Sequence, residues 1–354
     1  MKTNSFVMEI SKENIINNVN FLKKKYKKSI LPVVKANAYG HGIKVITETL
    51  YENGYKDFCV ARLSEAKKIL ENEKLSCCKI LVFESIDQSH FSYIKSCDSL
   101  VVTANSFQEL LTLINSGISS EKIQLKIDFG FGRNGIEPWE ISKLNSYIVE
   151  NNLIFNGIYS HLYATDFNEG KELLNRFSEI VSFLGRDKFQ MIHMQNSVGI
   201  LFYGTQDLMT HMRSGIFVYG LQEEGFFHEG LKQAFSLKGR VAGVRNIEDS
   251  KYLAYTLKSD LGNEDYKNIA KIKIGYGDGF LKCNENSMCT INKKTYKILS
   301  VTMDNTFIAG DDFVSEGDEV ILYPDINLIR NNTGMHICEV LPLINERIER
   351  VLKS

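Results

Sequence analysis

The sequence predicts a (β/α)8 barrel of the TIM type, followed by a smaller domain made mostly of β-strands. Two observations support this fold class. Apolar runs of strand length recur eight times in the first two thirds of the chain, with helical patterns between most of them. Beyond about residue 235 the helical patterns fade, and β-type runs alternate with Gly, Asn and Asp. We therefore expect a barrel over 1–235, whose first residues can pair with the second domain, and a β-rich domain over 236–354.

The barrel prediction depends on the number of strands. The predicted strands are 30–36, 58–62, 80–84, 100–104, 123–129, 155–161, 189–194 and 212–219. Between them, Ser106 followed by Glu109 is typical of the start of a helix, and Pro138 suits the first turn of another. Strand alternating with helix predicts parallel βα units, and a count of eight favours a closed barrel over an open doubly wound sheet.

Composition excludes several classes of protein. The chain has 42 basic and 43 acidic side chains, a balance that gives no support for binding to nucleic acid or to a membrane surface. The N-terminal residues lack the apolar core of a signal peptide, and no run is apolar enough to span a membrane, so we expect a cytoplasmic protein. Seven cysteines without a CxxC pair indicate reduced thiols and no metal site.

Three polar residues lie within predicted barrel strands or at their ends. Lys35 follows the apolar Val33 and Val34, Lys126 lies in the fifth predicted strand, and His161 ends the sixth. Catalytic groups of such barrels sit at the C-terminal ends of the strands, so these three side chains are expected at one mouth. A lysine against an apolar wall is costly unless the site uses its amine, which makes Lys35 the strongest candidate.

The stretch "VVKANAYGHG" at 33–42 closely resembles the pyridoxal-phosphate lysine motif of alanine racemases. Further segments resemble the same family in the same order: "LKIDFGFGRNGI" at 125–136, "SHLYATD" at 160–166, "HMQNSVG" at 193–199, "MRSGIFVYGL" at 212–221, "IGYGDG" at 274–279 and "MDN" at 303–305. The resemblance covers nearly the whole chain. It implies a barrel followed by a β domain, in agreement with the strand count.

The resemblance implies an enzyme that interconverts L- and D-alanine and supplies D-alanine for a bacterial cell wall. Lys35 would carry pyridoxal 5′-phosphate as a Schiff base and act as one base. The opposite base in the family is a tyrosine from the partner subunit of a homodimer with shared active sites. The candidates are Tyr252 and Tyr255, and continuing the comparison with the family along the chain assigns the role of opposite base to Tyr255. Thr256 stands where the family has a glycine.

The resemblance also implies roles for other residues. Tyr39, Ser197 and the amides of Gly215 and Ile216 would hold the cofactor phosphate. Arg213 would face the pyridine nitrogen with support from His161. Arg133 would reach the cofactor's phenolic oxygen and the substrate carboxylate, oriented by a carbamylated Lys126. Tyr276 would line the access channel, and the amide of Met303 from the partner would meet the substrate carboxylate.

Two departures from the family pattern leave the substrate open. Cys338 replaces a tyrosine that lines the active site, and Thr302 replaces a cysteine near its entrance. The leading prediction is alanine, and a racemase for serine or a broader set of small amino acids is the alternative. A barrel-type amino-acid decarboxylase fits the arginine and tyrosine set less well. A single-barrel pyridoxal-phosphate carrier would lack the second domain.

Overall fold

The computed structural model describes residues 6–164, 166–222, 228–261, 267–326, 329 and 333–353. The chain divides into two compact units. We call the unit of Ile16–Ala38 and Ile43–Val218 the barrel unit, and that of Met1–Ile15, Tyr39–Gly42 and Tyr219–Ser354 the β unit. The predicted division of the chain at 235–236 stays a prediction.

The barrel unit contains a closed ring of parallel strands. Strands are numbered along the chain, so β1 (Val7–Ser11) belongs to the β unit and the barrel strands are β2 (Ser29–Pro32), β3 (Asp57–Val60), β4 (Lys79–Val82), β5 (Leu100–Ala104), β6 (Ile123–Lys126), β7 (Phe155–Tyr159), β8 (Phe189–His193) and β9 (His211–Ser214). Strands β3 to β8 form one parallel sheet, and β2 pairs in parallel with β9. The Val34 amide donates to the Cys59 carbonyl over 2.8 Å, and the Thr210 amide donates to the Ile192 carbonyl over 3.0 Å. These bonds join the two sheets, and the predicted barrel is confirmed.

Seven of the eight barrel strands end between one and five residues earlier than the sequence predicts. The first strand shows the reason most clearly, because it stops at Pro32 and Lys35 lies beyond it. Ala36, Asn37 and Ala38 have φ angles of 52°, 55° and 56°, so the chain turns into a short left-handed segment, Lys35–Tyr39. An extended strand through residue 36 was therefore wrong, and Lys35 sits where the strand gives way to this turn.

Helices connect the barrel strands. They are α1 (Lys12–Tyr26), α2 (Ile43–Glu52), α3 (Leu63–Leu70), α4 (Phe91–Ser96), α5 (Phe107–Asn115), α6 (Ile141–Glu150), α7 (Phe167–Leu184) and α8 (Ser197–Tyr203). In α5, Phe107, Leu110 and Leu113 form the buried stripe expected at helical spacing. The Ser106 side chain accepts the Glu109 amide as predicted, whereas the Glu109 carboxylate accepts the amide of Asn105.

The β unit is built around one large sheet. Its strands are β1, β10 (Phe235–Asn246), β13 (Asn268–Ile272), β14 (Met288–Ile291), β15 (Lys294–Val301), β16 (Thr306–Gly310), β17 (Glu319–Leu322) and β18 (Glu349–Lys353). Strand β1 pairs antiparallel with β10 and parallel with β18. A small hairpin of β11 (Tyr252–Leu253) and β12 (Thr256–Leu257) and the helix α9 (Ile337–Leu343) complete the unit. The mostly-β second domain is thereby confirmed.

Two features are absent from the described ranges. No helix there has both the length and the apolar character needed to cross a membrane. In the same residues, no group of three or more His, Cys, Asp or Glu side chains is placed to hold a metal ion.

Candidate active site

Lys35 lies at the mouth of the barrel unit, where hydrogen bonds hold the backbone on both sides of it. Ahead of it, the Val33 amide donates to the Ser214 carbonyl over 2.8 Å, which ties the segment to β9. Behind it, the Ala38 amide donates to the Val34 carbonyl over 2.9 Å across the left-handed turn. The lysine is half-buried, and its backbone is held on both sides.

Cationic side chains converge on the imidazole of His161. Burial is the main cause that lowers the pKa of His161 to about 3, and the positive charge of Arg213 is the next. Arg133, Lys35 and Lys126 lower it further, in that order. The barrel unit thus brings together five of the residues that the sequence predicted for the site. Such a group of positive charges around a neutral imidazole suits an anionic ligand.

Arg213 is held by two imidazoles. It lies on β9, is 5 % exposed, and donates through Nη1 to His193 Nδ1 over 2.7 Å. Its Nη2 donates to the Ser160 carbonyl over 3.0 Å and to His161 Nδ1 over 3.3 Å. Because a guanidinium can only donate, both histidines must accept at Nδ1 and are therefore neutral. Burial and the charge of Arg213 likewise hold the pKa of His193 well below its usual range.

The network behind Arg213 extends to residues that the sequence did not single out. With Nδ1 accepting, His193 Nε2 carries the proton and donates to Gln124 Oε1 over 2.9 Å. Gln124 Nε2 in turn donates to Asn156 Oδ1 over 2.8 Å. A row of side chains from three neighbouring strands thus fixes the orientation of the arginine. His193 lies in the quoted segment at 193–199, but its role depends on an arginine 20 positions later.

Lys126, the last residue of β6, is 6 % exposed. Burial first, and then the charge of Arg133, lower its pKa to about 8, although Asp128 opposes that shift. The Asp128 carboxylate accepts the amides of Gly130 over 2.9 Å and of Arg133 over 3.1 Å, which shapes the loop that carries Arg133. The Lys126 amine is therefore more often neutral near pH 8 than an exposed lysine would be.

A set of donors suitable for a phosphate lies at the end of β9. Ser197, the first residue of α8, is buried, and its Oγ accepts the amide of Gly215 over 3.2 Å. Ser214 Oγ lies 3.5 Å from the same hydroxyl, and Ile216 begins the short 3-10 turn Ile216–Tyr219. The structure thus places Ser197 beside Gly215, with Ile216 next in the chain.

Tyr255 occupies the tip of the small hairpin in the β unit. Leu253 pairs with Thr256, so Ala254 and Tyr255 alone form the turn, and Ala254 takes the left-handed φ of 51°. Leu253 anchors the hairpin in a buried apolar cluster, while Tyr255 is 80 % exposed. Thr256 is not among the residues with positive φ, so replacing the family's glycine leaves this backbone unstrained.

Tyr276 and Met303 lie on neighbouring loops of the β unit. The Tyr276 amide donates to the Thr302 carbonyl over 3.0 Å, and the Gly277 amide donates to the Met303 carbonyl over 2.8 Å. A Cβ on Gly275 would come within 2.1 Å of the Thr302 carbonyl oxygen, so this approach requires glycine. The Thr302 hydroxyl donates to the Asn305 carbonyl over 2.8 Å and thus closes the turn that presents Met303.

Tyr39 and Cys338 also belong to the β unit. The Tyr39 ring packs 5.4 Å from the ring of Tyr219. Cys338 lies in the first turn of α9, where its amide donates to His336 Nδ1 over 3.2 Å.

Comparison with known proteins agrees with this arrangement over the whole chain. The family model described as alanine racemase, N-terminal domain, matches residues 10–223, and that of the C-terminal domain matches residues 234–352. The chain belongs to the alanine racemase family. An alanine racemase of Fusobacterium nucleatum is 31 % identical over 98 % of this chain and 99 % of its own length. One of Helicobacter pylori is 26 % identical over 99 % of both.

Solved structures of the family share the fold. The alanine racemase from E. faecalis superposes with a TM-score of 0.86 at 23 % identity, covering 98 % of each chain. That of Bacillus anthracis, with bound L-Ala-P, gives a TM-score of 0.85 at 24 % identity, covering 100 % of this chain and 96 % of that one. The barrel with its β-rich companion is thus the architecture of these alanine racemases.

The buried histidines of the site should make the fold acid-sensitive. Below pH 6.5, His193 binds a proton in the unfolded chain but stays neutral in the folded chain. The free energy of unfolding therefore falls as the pH drops. Each such histidine adds a slope of up to about 1.4 kcal/mol per pH unit. We expect His193→Asn to unfold more easily at pH 7.5 but to show a shallower loss down to pH 5, as measured by urea unfolding. An unchanged slope would contradict the neutral assignment of His193.

Proposed function

We propose that this protein racemises alanine, with pyridoxal 5′-phosphate held on Lys35 and with Tyr255 of the partner subunit as the opposite base. The observation that carries the proposal is the convergence of Lys35, Lys126, Arg133 and Arg213 on the neutral His161. In a chain of the alanine racemase family, this cluster stands where the lysine motif predicts the cofactor. The proposed active unit is a homodimer, because Lys35 and Tyr255 belong to different units of the fold.

The donor chemistry of the site fits the cofactor. Pyridoxal phosphate is anionic, and the barrel mouth gathers cations that would otherwise repel one another. The Gly215 amide donates to Ser197 Oγ over 3.2 Å, so the Ser197 hydroxyl would give its own proton to a phosphate, and the Gly215 amide would turn from the serine to the same anion. Ile216 would add its amide, and Tyr39 its hydroxyl, as the resemblance implies. No metal is needed for this chemistry.

When bound, pyridoxal phosphate supplies an electron sink for the negative charge that develops on the α-carbon. Arg213 would face its ring nitrogen. The guanidinium does not give up its proton, and two neutral imidazoles hold it in place. It would therefore not pass a proton to the ring nitrogen, so charge at the α-carbon would be short-lived and side reactions would be disfavoured. Arg133 would bind the substrate carboxylate together with the amide of Met303 from the partner subunit, and Tyr276 would line the access channel.

Racemisation then needs one proton removed and one returned. The Lys35 amine would take the α-proton of one enantiomer from its face of the substrate. The phenol of Tyr255 from the partner subunit would return a different proton to the opposite face, which inverts the centre. Enzyme and substrate together keep the same number of protons, and a proton must pass from Lys35 back to Tyr255, directly or through solvent, before the next turnover. In the reverse direction the two groups exchange tasks. The exposed hairpin tip at Tyr255 suits a side chain that must reach another subunit.

The function is tested by incubating the purified, cofactor-loaded protein with single L-amino acids and separating the products by chiral chromatography. We expect L-alanine to approach an equal mixture with D-alanine. Serine is included in the same panel because Cys338 replaces a tyrosine of the family pattern. The relatives named above are called alanine racemases, which gives the serine alternative no support. If the alanine stayed in the L form, the proposal would be contradicted, and release of CO2 would indicate the decarboxylase alternative.

Lys126 is proposed to be carbamylated. Its pKa of about 8 leaves part of the amine neutral, and a neutral amine can add to CO2, forming an N–C bond and releasing one proton. The resulting anion would pair with Arg133 in place of a repelling cation. We expect Lys126→Ala to lower kcat/KM about 100-fold by releasing Arg133, and added acetate to restore part of the loss.

The matched control for this prediction is Lys126→Arg, which keeps a cation, cannot be carbamylated and should not respond to acetate. A carbamate signal in the carbon-13 NMR spectrum under labelled CO2 would be direct support. Absence of that signal in the fully active enzyme would contradict the modification.

Two broader parts of the proposal concern the cell. D-alanine made by this enzyme would supply the wall of a bacterium, and the cytoplasmic location stays a prediction from the sequence. Cys338 and Thr302 are proposed to affect specificity, although the hydroxyl of Thr302 is already engaged by the turn that it closes.

A further inference from the structure

The backbone that follows Lys35 is bonded to a glutamate from a different part of the barrel unit. Glu65 is the third residue of α3, and its Oε1 accepts the amide of Ala36 over 2.5 Å. Its Oε2 accepts the amides of Ala61 over 2.9 Å and of Arg62 over 3.0 Å. One carboxylate thus joins the start of α3 to the peptide unit directly after Lys35.

Helix capping accounts for only one of these two oxygens. An acidic residue at the third position of a helix commonly accepts the amide of the residue before the helix, as Oε2 does with Arg62. The bond to Ala36 spans 29 positions of sequence and serves no helix end. Hydrogen bonds to a charged acceptor are about twice as strong as neutral ones, so this one is a firm restraint.

The peptide whose amide Glu65 binds lies where the backbone enters the left-handed conformation. Ala36 is the first of four consecutive residues with φ between 51° and 56°, a region that disfavours any residue with a Cβ. Within the turn, Asn37 Oδ1 accepts the Ile43 amide over 2.9 Å, and the Ala38 amide donates to Val34. The Asn37 bond acts beyond the first turned residue, and the Ala38 bond closes the turn around Lys35 and Ala36. The Glu65 bond is made to the amide of the Lys35–Ala36 peptide itself.

We propose that Glu65 is the positioning residue of Lys35: its carboxylate fixes the Lys35–Ala36 junction and so sets the direction in which the lysine side chain leaves the backbone. This inference rests on the proposed function, since it assigns Glu65 to the amine that carries the cofactor. Glu65 itself touches neither substrate nor cofactor in this scheme and acts only through Lys35.

The test compares Glu65→Ala and Glu65→Gln with Glu140→Ala. Glu140 makes the same kind of cap, accepting the Glu137 amide over 3.2 Å, so its loss controls for capping alone. We expect Glu65→Ala to lower kcat about 100-fold with KM changed less than about threefold, because a misdirected base slows proton transfer. Glu65→Gln keeps one carbonyl acceptor and should fall between, near tenfold. Glu140→Ala should leave kcat unchanged.

A second readout needs neither cofactor nor catalysis. The apo chain is acetylated with limiting acetic anhydride, and the labelling of Lys35 is compared by mass spectrometry with that of the exposed Lys171. We expect the ratio of Lys35 to Lys171 labelling to rise several-fold in Glu65→Ala and in Glu65→Gln, because a released junction exposes the amine. Glu140→Ala should keep the wild-type ratio.

The proposal is overturned if Glu65→Gln matches the wild type in both kcat and labelling ratio, and this variant decides the matter if Glu65→Ala does not fold. Failure of the proposed function has a different signature. In that case the wild type would leave L-alanine unchanged, or Lys35→Ala would keep the activity, while the labelling ratio would still report whether Glu65 holds the junction.

Discussion

Lys35→Ala should abolish racemisation and the covalent attachment of the cofactor together. We expect kcat/KM to fall by more than about 1,000-fold, because the substitution removes both the anchoring amine and one of the two bases. In the wild type, borohydride should fix the cofactor to the peptide that contains Lys35, and the visible absorbance of the bound cofactor should survive dialysis. Both signals should be missing in the variant.

Lys44→Ala is the matched control for this substitution. Lys44 lies nine positions further on in α2 and pairs with Glu71 over 2.8 Å at the surface, an ion pair of little energetic weight. It should keep activity and absorbance. If Lys35→Ala retained the dialysis-resistant absorbance, another lysine would carry the cofactor and the assignment of the motif would be wrong.

Mixing two inactive variants should restore activity. A hybrid dimer of Lys35→Ala and Tyr255→Phe chains holds one site with both bases and one with neither. If subunits mix at random, half of the dimers are hybrids, so about a quarter of the wild-type activity should return. The measurement is racemisation after the two chains are unfolded together and refolded with cofactor. Tyr255 is exposed on a two-residue turn, and this is the structural reason to expect it to complete the active site of the other subunit.

The control for the mixing experiment replaces Tyr255→Phe with the double variant Lys35→Ala, Tyr255→Phe. No combination of its chains with Lys35→Ala contains an intact lysine, so no activity should return. If differently tagged chains are shown to co-purify as hybrids and activity still fails to recover, Tyr255 does not act across the subunit boundary.

The sequence predicted the barrel well because each strand is a separate apolar run between helical patterns. It predicted strand ends less well, since alanines at 36 and 38 carry no signal for the left-handed conformation that they adopt here. One of the bonds that hold this conformation comes from Glu65, 29 positions away in the sequence. Strand β1 shows the same limit, because its neighbours β10 and β18 lie more than 200 positions away.

The candidate site divides in a similar way. Residues in continuous motifs, such as Lys35, Arg133 and Arg213, could be named from the sequence. His193 and Glu65 could not, because each acts on a group that only the fold brings near. Glu65 in particular looks like an ordinary helix cap in the sequence, and its second oxygen has a partner only once the turn after Lys35 meets the start of α3.

The pairing of β2 with β9 has a consequence for how the protein is made. Leu31 lies opposite Arg213, so the strand that leads to Lys35 meets β3 soon but finds its other neighbour only about 180 positions later in the chain. At the usual speed of a ribosome that interval is roughly 10 to 40 seconds. For that time the nascent barrel has an open seam beside its reactive lysine, and neither Arg213 nor the donors at Ser197 and Gly215 have been synthesised when Lys35 first emerges. The cofactor should therefore load late, and a growing chain arrested before residue 213 should not retain it.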